Sequence, residues 1–188
     1  MRIKHLAIAL LGGASLATAA CSGGTPEDTG TGAAELATPE TESLPALLDD
    51  ADGLQTVAEA IKETGISGIF EGKGSYTLLA PEDAAFAALG DSAKELTGSE
   101  DHAALAALLK DHLIPGYLTP QDISAAIDAS KDGEVSMPTV SGEELIFTRK
   151  GDSISVSAPD GSEATFDGEA LAGGSSIAIP LTGILKKI

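Results

Sequence analysis

Apolar positions recur at two different spacings along this chain. Four segments carry them at the spacing of a helix face, with helix-start or helix-stop residues nearby: 43–50, 54–63, 101–113 and 119–127. From Val135 onward they fall instead in short runs separated by glycine-containing turns such as Lys150–Asp152 and Pro159–Gly161, and the last runs are 177–179 and 181–185. The pattern predicts helices first and strands afterwards.

One strand is predicted among the helices, within Ser75–Gly90. Tyr76, Leu78 and Leu79 form a short apolar run that favours a strand, and Pro81 ends it. Pro81 is expected to be the first residue of the next helix, where a missing N–H group costs nothing. Because this stretch has no nucleophile, metal-ligand set or phosphate cradle, we predict that it belongs to the core.

Charge excludes one class of partner. The 188 residues carry a net charge of −18, with a pI of about 4.2. Binding to phosphates needs clustered Lys and Arg, so nucleic acid is not an expected partner. The acidic residues are dispersed along the chain, which is typical of a solvated surface.

Catalytic and metal-binding patterns are missing from the sequence. It has no G-x-S-x-G nucleophile elbow, and neither His102 nor His112 has a second metal ligand at useful spacing. The segment 49–53 matches a calcium loop only in part, because Leu48 stands at the first ligand position, and we predict a turn there. We therefore predict no enzyme activity, no metal and no cofactor.

The first twenty residues have the pattern of an export signal. Arg2 and Lys4 precede an apolar segment, residues 6–16, that is too short to span a bilayer. Small residues then lead to Cys21, the single cysteine, and this arrangement resembles a bacterial lipoprotein signal in which the cysteine is lipidated. Thr18 stands where such signals usually have Leu, so ordinary cleavage within residues 17–20 is the alternative.

Residues 21–42 are predicted to be a flexible tether. They are rich in Gly, Thr, Pro, Ala and acidic residues and have almost no large apolar side chains, so they cannot offset the entropy of ordering. Ser22 after the cysteine resembles a signal for outer-membrane retention. We expect an exported protein that is anchored through lipidated Cys21 at the outer membrane or cell surface.

The predicted strand and helix also carry a family resemblance. The first signature of fasciclin domains, a family of extracellular adhesion domains, is similar to the residues Thr77, Leu78, Leu79, Ala80, Pro81, Ala85, Phe86 and Leu89. The resemblance covers residues 43–188. It implies an α+β fold, a wedge-shaped and twisted β-sandwich with helices packed along one edge.

A second family element resembles residues 111–116. Fasciclin domains commonly have Tyr-His there, followed shortly by Pro-Gly, and here Asp111 takes the place of Tyr. The resemblance implies that His112 holds a neighbouring loop by hydrogen bonds and influences adhesion, and that His112, Ile114 and Pro115 are the binding residues. From the residues alone, a buried histidine paired with backbone groups is the expectation. The C-terminal signature is matched loosely, without its Asn, His and Asp.

The resemblance implies an adhesion or interaction module that binds proteins or glycans of matrix, biofilm or other cells. The alternative function is a carrier of a small apolar ligand, carotenoid-like, held in the seam between helices and sheet. Few aromatic residues could line such a seam, since the chain has only two Tyr, four Phe and no Trp.

Overall fold

The computed structural model describes residues 42–97 and 102–187. The helices are α1 (Leu44–Asp50), α2 (Gln55–Glu63), α3 (Ser67–Phe70), α4 (Asp83–Ala88), α5 (Asp91–Thr97), α6 (Ala103–Asp111) and α7 (Pro120–Ala129). The strands are β1 (Tyr76–Pro81), β2 (Leu113–Pro115), β3 (Glu134–Pro138), β4 (Glu144–Lys150), β5 (Ser153–Ser157), β6 (Glu163–Thr165), β7 (Leu171–Gly173) and β8 (Ser176–Leu181). The predicted signal peptide, Cys21 and the tether up to residue 41 lie outside the described residues.

The strands form two four-stranded sheets. The first sheet has the order β2-β1-β8-β7, in which β1 and β8 are parallel and the other neighbours are antiparallel. The second sheet is an antiparallel meander in the order β3-β4-β5-β6. The sheets meet where Phe166, just after β6, bridges to Leu181 at the end of β8. The predicted α+β class is confirmed.

An apolar core lies on each face of the first sheet. On one face, Leu78 and Ala178 pack with side chains of α1, α2 and α6. On the other face, Leu79 and Ile179 pack with α7 and with the inward residues of the second sheet. The molecule is therefore layered, with helices, the first sheet, and then the second sheet with α7. Among the described residues, no helix is long and apolar enough to cross a membrane.

The prediction that Pro81 starts a helix is wrong. Pro81 is the last residue of β1, where it pairs with Leu181 of β8, and the N–H of Glu82 donates to the Leu181 carbonyl at 3.0 Å. Pairing with a parallel neighbour thus extends the strand by one residue. Glu82 is the N-cap of α4, and Asp83 is its first helical residue.

Two predicted boundaries are also corrected near the end of α6 and of the chain. Helix α6 ends at Asp111, two residues before the predicted end, because Leu113 pairs with Leu78 in the first sheet. The run 181–185 is not a separate strand. Leu181 completes β8, and the N–H of Leu185 is taken by a side chain instead of a neighbouring strand.

Local signals near α7 and the second sheet were predicted correctly. Thr119 is the N-cap of α7, with its hydroxyl accepting from the N–H of Asp122 at 3.1 Å and the Asp122 carboxylate accepting from the N–H of Thr119 at 2.9 Å. Such a reciprocal pair satisfies N–H groups that the first helical turn leaves without partners. The turn Lys150–Asp152 joins β4 to β5 as predicted.

Candidate functional site

His112 lies at a junction of three segments. It follows the last residue of α6, and its side chain is fully buried. Its Nδ1 lies 2.8 Å from the Leu108 carbonyl, and its Nε2 accepts from the N–H of Leu185 at 2.9 Å. Its own carbonyl accepts from the N–H of Leu79 in β1 at 2.9 Å. One residue therefore ties α6, the centre of the first sheet and the C-terminal segment together.

These bonds fix the state of the ring. Because Leu185 donates to Nε2, the proton of the neutral ring is on Nδ1, which donates to Leu108. Burial is the largest influence on the pKa of His112 and lowers it to about 4, against opposing effects of the Leu108 bond and of Asp111. At neutral pH the imidazole is uncharged, both ring nitrogens are occupied, and its role is to hold backbone.

A charge cluster lies beside this junction. Lys186 contacts Asp111 at 3.0 Å and Glu143 at 3.1 Å, and these two hydrogen bonds raise the pKa of Lys186. Asp111, which takes the place where the family commonly has tyrosine, is a buried carboxylate. Here it holds the segment after β8 through an ion pair, next to the bond that His112 makes with Leu185.

The three predicted binding residues have different environments. His112 and Ile114 are buried, and Ile114 packs in the core between the two sheets. Pro115 is exposed at the end of β2, where it pairs with Tyr76. Only Pro115 can touch a partner without rearrangement, and His112 and Ile114 could act on one through the segment that they hold. Their assignment as binding residues stays a prediction.

The segment after Pro115 is held in place by Thr77. The Thr77 hydroxyl donates to the Gly116 carbonyl at 2.8 Å and accepts from the N–H of Leu118 at 2.9 Å. Gly116 has φ 109°, a conformation that favours glycine, and its N–H donates to the Ser75 carbonyl at 2.8 Å. The turn is therefore bonded to β1 on both sides of Tyr117.

Tyr117 is the exposed aromatic side chain of this turn, with 43% of its surface accessible. Val140, 38% exposed, lies near the same strand, since its N–H donates to the Leu113 carbonyl at 2.7 Å. Sequence reasoning missed both residues. The one available signal for Tyr117 was its position after Gly116. A glycine favours a turn, and loops carry binding residues more often than strands do.

No group of three or more His, Cys, Asp or Glu side chains within residues 42–97 and 102–187 is arranged to hold a metal ion. The candidate site is an exposed turn that hydrogen bonds to Thr77 and Ser75 hold in place. We call residues Pro115–Leu118, with Thr77 beneath them, the display turn.

Comparison with known proteins identifies the family. The model of the Fasciclin domain matches residues 52–167, more than half of the chain. The protein belongs to the fasciclin domain family. This match lies inside the predicted domain, 43–188, whose borders stay predictions. It includes both β1 and the display turn, and it ends before β7 and β8, where the C-terminal signature is loose.

Two similar proteins are consistent with this assignment. Transforming growth factor-beta-induced protein ig-h3 of Sus scrofa is 26% identical over 117 residues, which are 62% of this chain and 16% of that protein. The chain thus spans about a sixth of this relative. The structure of a FAS1 domain pair from the insect cell adhesion molecule Fasciclin I has a TM-score of 0.65 and 14% identity, covering 79% of this chain and 52% of that one. This second likeness concerns the fold.

Proposed function

We propose that this fasciclin domain is an adhesion module displayed from the cell envelope by a lipid anchor at Cys21. Its partners are proteins or glycans of matrix, biofilm or other cells. Family membership supports the proposal, as does the fold that it has in common with a protein described as an insect cell adhesion molecule. Export and anchoring are supported by the residues before position 43, which resemble a lipoprotein signal and a tether.

The observation that carries the proposal is the display turn. Tyr117 combines an exposed ring with a backbone that is fixed by Thr77 and Gly116. Aromatic side chains dominate the energy of many interfaces. A turn that is already ordered loses little entropy when it binds, so its contact energy appears as affinity. A rigid, exposed tyrosine is thus suited to surface recognition.

The test measures retention of the full-length protein on matrix, biofilm and cell surfaces, relative to an unrelated protein of equal charge. Tyr117→Ser is expected to weaken binding by about tenfold or more, since an interface anchor of this kind contributes about 2 kcal/mol. Ile146→Ser is the matched control, because Ile146 is 40% exposed but lies on the outward face of the second sheet. Equal losses in the two variants, or no retention above the charge control, contradict the proposal.

A carrier of a small apolar ligand is the second candidate. A cavity of about 290 Å³ between α5, α6 and the C-terminal segment is lined by Leu96, Ala104, Ala107 and Leu108, together with the charged residues Asp111, Lys186 and Lys187. Ligand pockets usually measure about 300–1,000 Å³, so this cavity is at the lower limit and would have to widen for a carotenoid-like molecule.

Native mass spectrometry with an absorption spectrum, on protein extracted gently from its own membranes, separates the two candidates. A mass that begins at lipidated Cys21 without other bound molecules is expected for the anchored adhesion module. A stoichiometric extra mass or a visible chromophore would favour the carrier. An unmodified N-terminus would remove the anchor from the proposal.

A further inference from the structure

A groove extends along α7 from Tyr117 to Asp152. It consists of two connected cavities of about 560 Å³ and 440 Å³, which have Pro120, Gln121 and Gly168 in common. Each volume is within the range of about 300–1,000 Å³ that is usual for ligand sites. We call this feature the α7 groove. It is open along its length, so it suits an extended ligand better than an enclosed small molecule.

The floor of the α7 groove is apolar and firmly packed. Ile177 and Ile179 of the first sheet, Ile154 of the second sheet and Phe166 between the sheets lie along it. The isoleucines belong to the buried surface, with 5% or less of each exposed. The groove therefore follows the seam between the two sheets, and its base is part of the core.

One wall is fixed by an ion pair between α7 and β4. Arg149 contacts the Asp128 carboxylate at 2.8 and 2.9 Å through Nη2, and at 3.2 Å through Nε. The same Nη2 lies 2.6 Å from the Ser124 hydroxyl. A two-point bond of this kind sets the orientation of the guanidinium plane. Since Asp128 also neutralises its charge, Arg149 does not make the wall cationic.

Five other polar side chains along the groove make no hydrogen bond to any described residue. They are Tyr117, Gln121, Asp152, Ser153 and Glu169. Together they offer hydroxyl groups, an amide that both donates and accepts, and carboxylates that accept. Each cavity contributes one of the two carboxylates, Asp152 in one and Glu169 in the other.

This set of groups selects among ligand classes. A polyanion would meet two unpaired carboxylates and no unpaired cation along the groove, so acidic glycans are disfavoured. A basic peptide would pair with only two of the five groups, because Tyr117, Gln121 and Ser153 carry no charge. Sugar hydroxyls both donate and accept, and they match a mixed row of amide, hydroxyl and carboxylate groups. The ring of Tyr117 at one end can cover the apolar face of a sugar.

We propose that the α7 groove binds a neutral glycan chain, with Gln121 at its centre and Tyr117 at one end. This inference rests on the proposed function, because it names the partner class and the surface of the same adhesion module. The ligand lies over the apolar floor and exchanges hydrogen bonds with the unpartnered side chains, while the Arg149–Asp128 pair keeps the wall in place.

Titration calorimetry of the full-length protein with neutral hexasaccharides tests the proposal, with cellohexaose, maltohexaose and chitohexaose as the probes. An oligouronate and octalysine represent the acidic glycan and the basic peptide. At least one neutral hexasaccharide is expected to bind. Ala125→Arg, which places a long side chain in the groove, and Gln121→Ala are each expected to weaken that binding by about tenfold or more.

Ala129→Arg is the matched control, because Ala129 is exposed on the same helix but does not line the groove. It adds the same charge and is expected to leave the affinity within about twofold of the parent. Unfolding curves of both Arg variants exclude a loss of fold as the cause.

The outcomes separate this inference from the proposed function. Binding of octalysine or the oligouronate alone overturns the glycan groove, and so does sugar binding that Ala125→Arg leaves unchanged. If the protein adheres to surfaces through Tyr117 but binds none of the hexasaccharides, the groove proposal fails and the adhesion proposal survives. If a hexasaccharide binds and Ala125→Arg removes it, while no surface retains the protein, the groove stands and adhesion fails.

Discussion

The two sheets of this fasciclin domain differ in how many faces they bury. All six residues of β8 are buried, as are residues 77–81 of β1, because helices cover one face of the first sheet and the second sheet covers the other. In β4 of the second sheet, Leu145 and Phe147 are buried, whereas Glu144 and Ile146 are exposed. Neighbouring positions are therefore equivalent in β1 and β8 of the first sheet and opposite in β4 of the second.

The largest effect should come from single truncations in neighbouring positions of each sheet. Leu78→Ala and Leu79→Ala are each expected to lower the free energy of unfolding by about 2–5 kcal/mol, since each removes buried methyl groups and leaves a cavity. Leu145→Ala should cost as much, whereas Ile146→Ala should stay within about 0.5 kcal/mol. Urea unfolding of the four variants measures these differences.

The comparison between the sheets fails if only one of Leu78→Ala and Leu79→Ala lowers the free energy of unfolding, which is the result expected for the pair Leu145 and Ile146. One tolerant position of the two in β1 would mean that one face of the first sheet is loosely packed in solution. A costly Ile146→Ala would mean that the outward face of the second sheet is covered.

The sequence predicted the two sheets unequally. Short apolar runs between glycine-containing turns made the second sheet visible as strands. In β1 every position is apolar or small, and such a run shows neither where a strand ends nor which neighbour it pairs with. Pro81 was placed in a helix for this reason, because the pairing with Leu181 joins residues 100 positions apart.

The candidate site was predictable only in part. His112 was expected to be buried and bonded to backbone, and its Leu108 bond is local, within one helical turn. The bond from Leu185 to His112 joins residues 73 positions apart. The bonds from Thr77 to the display turn span 39 and 41 positions. No local spacing in the sequence predicts contacts over such distances. Tyr117 was not predicted as a binding residue because its exposure is a property of the folded chain.

Acid should weaken the junction that joins the first sheet to α6. In the unfolded chain the His112 imidazole takes up a proton below its ordinary pKa of about 6.5, whereas the buried imidazole stays neutral down to a pKa of about 4. Between these values the unfolded state binds more protons, so stability falls as the pH falls. The loss across this window is about 3 kcal/mol, and above pH 6.5 the group contributes none of this pH dependence.

His112→Gln isolates this effect, because glutamine can donate and accept hydrogen bonds but does not titrate. The difference in unfolding free energy between parent and variant should shrink steadily from pH 7 to pH 4, while the carboxylates titrate equally in both proteins. Urea unfolding at several pH values measures this difference. A constant difference would show that the ring is protonated alike in the folded and unfolded states.

The smallest expected effect concerns the edge of the first sheet, which helix α1 covers. A Cβ atom on Gly173 would lie 2.7 Å from the Leu44 backbone and 2.9 Å from the Leu47 side chain. Gly173→Ala is therefore expected to cost about 1–3 kcal/mol through overpacking. At Gly72 the nearest atom to an added Cβ is 3.5 Å away, an ordinary contact, so Gly72→Ala should change stability by less than about 0.5 kcal/mol.

Thermal unfolding of the two alanine variants measures this difference. Equal stability would mean that α1 moves away from β7 at little cost, so that the first sheet has an open edge as well as a covered one. A selective loss in Gly173→Ala would instead show that α1 stays in close contact with this edge strand, a cover that hinders pairing with another chain.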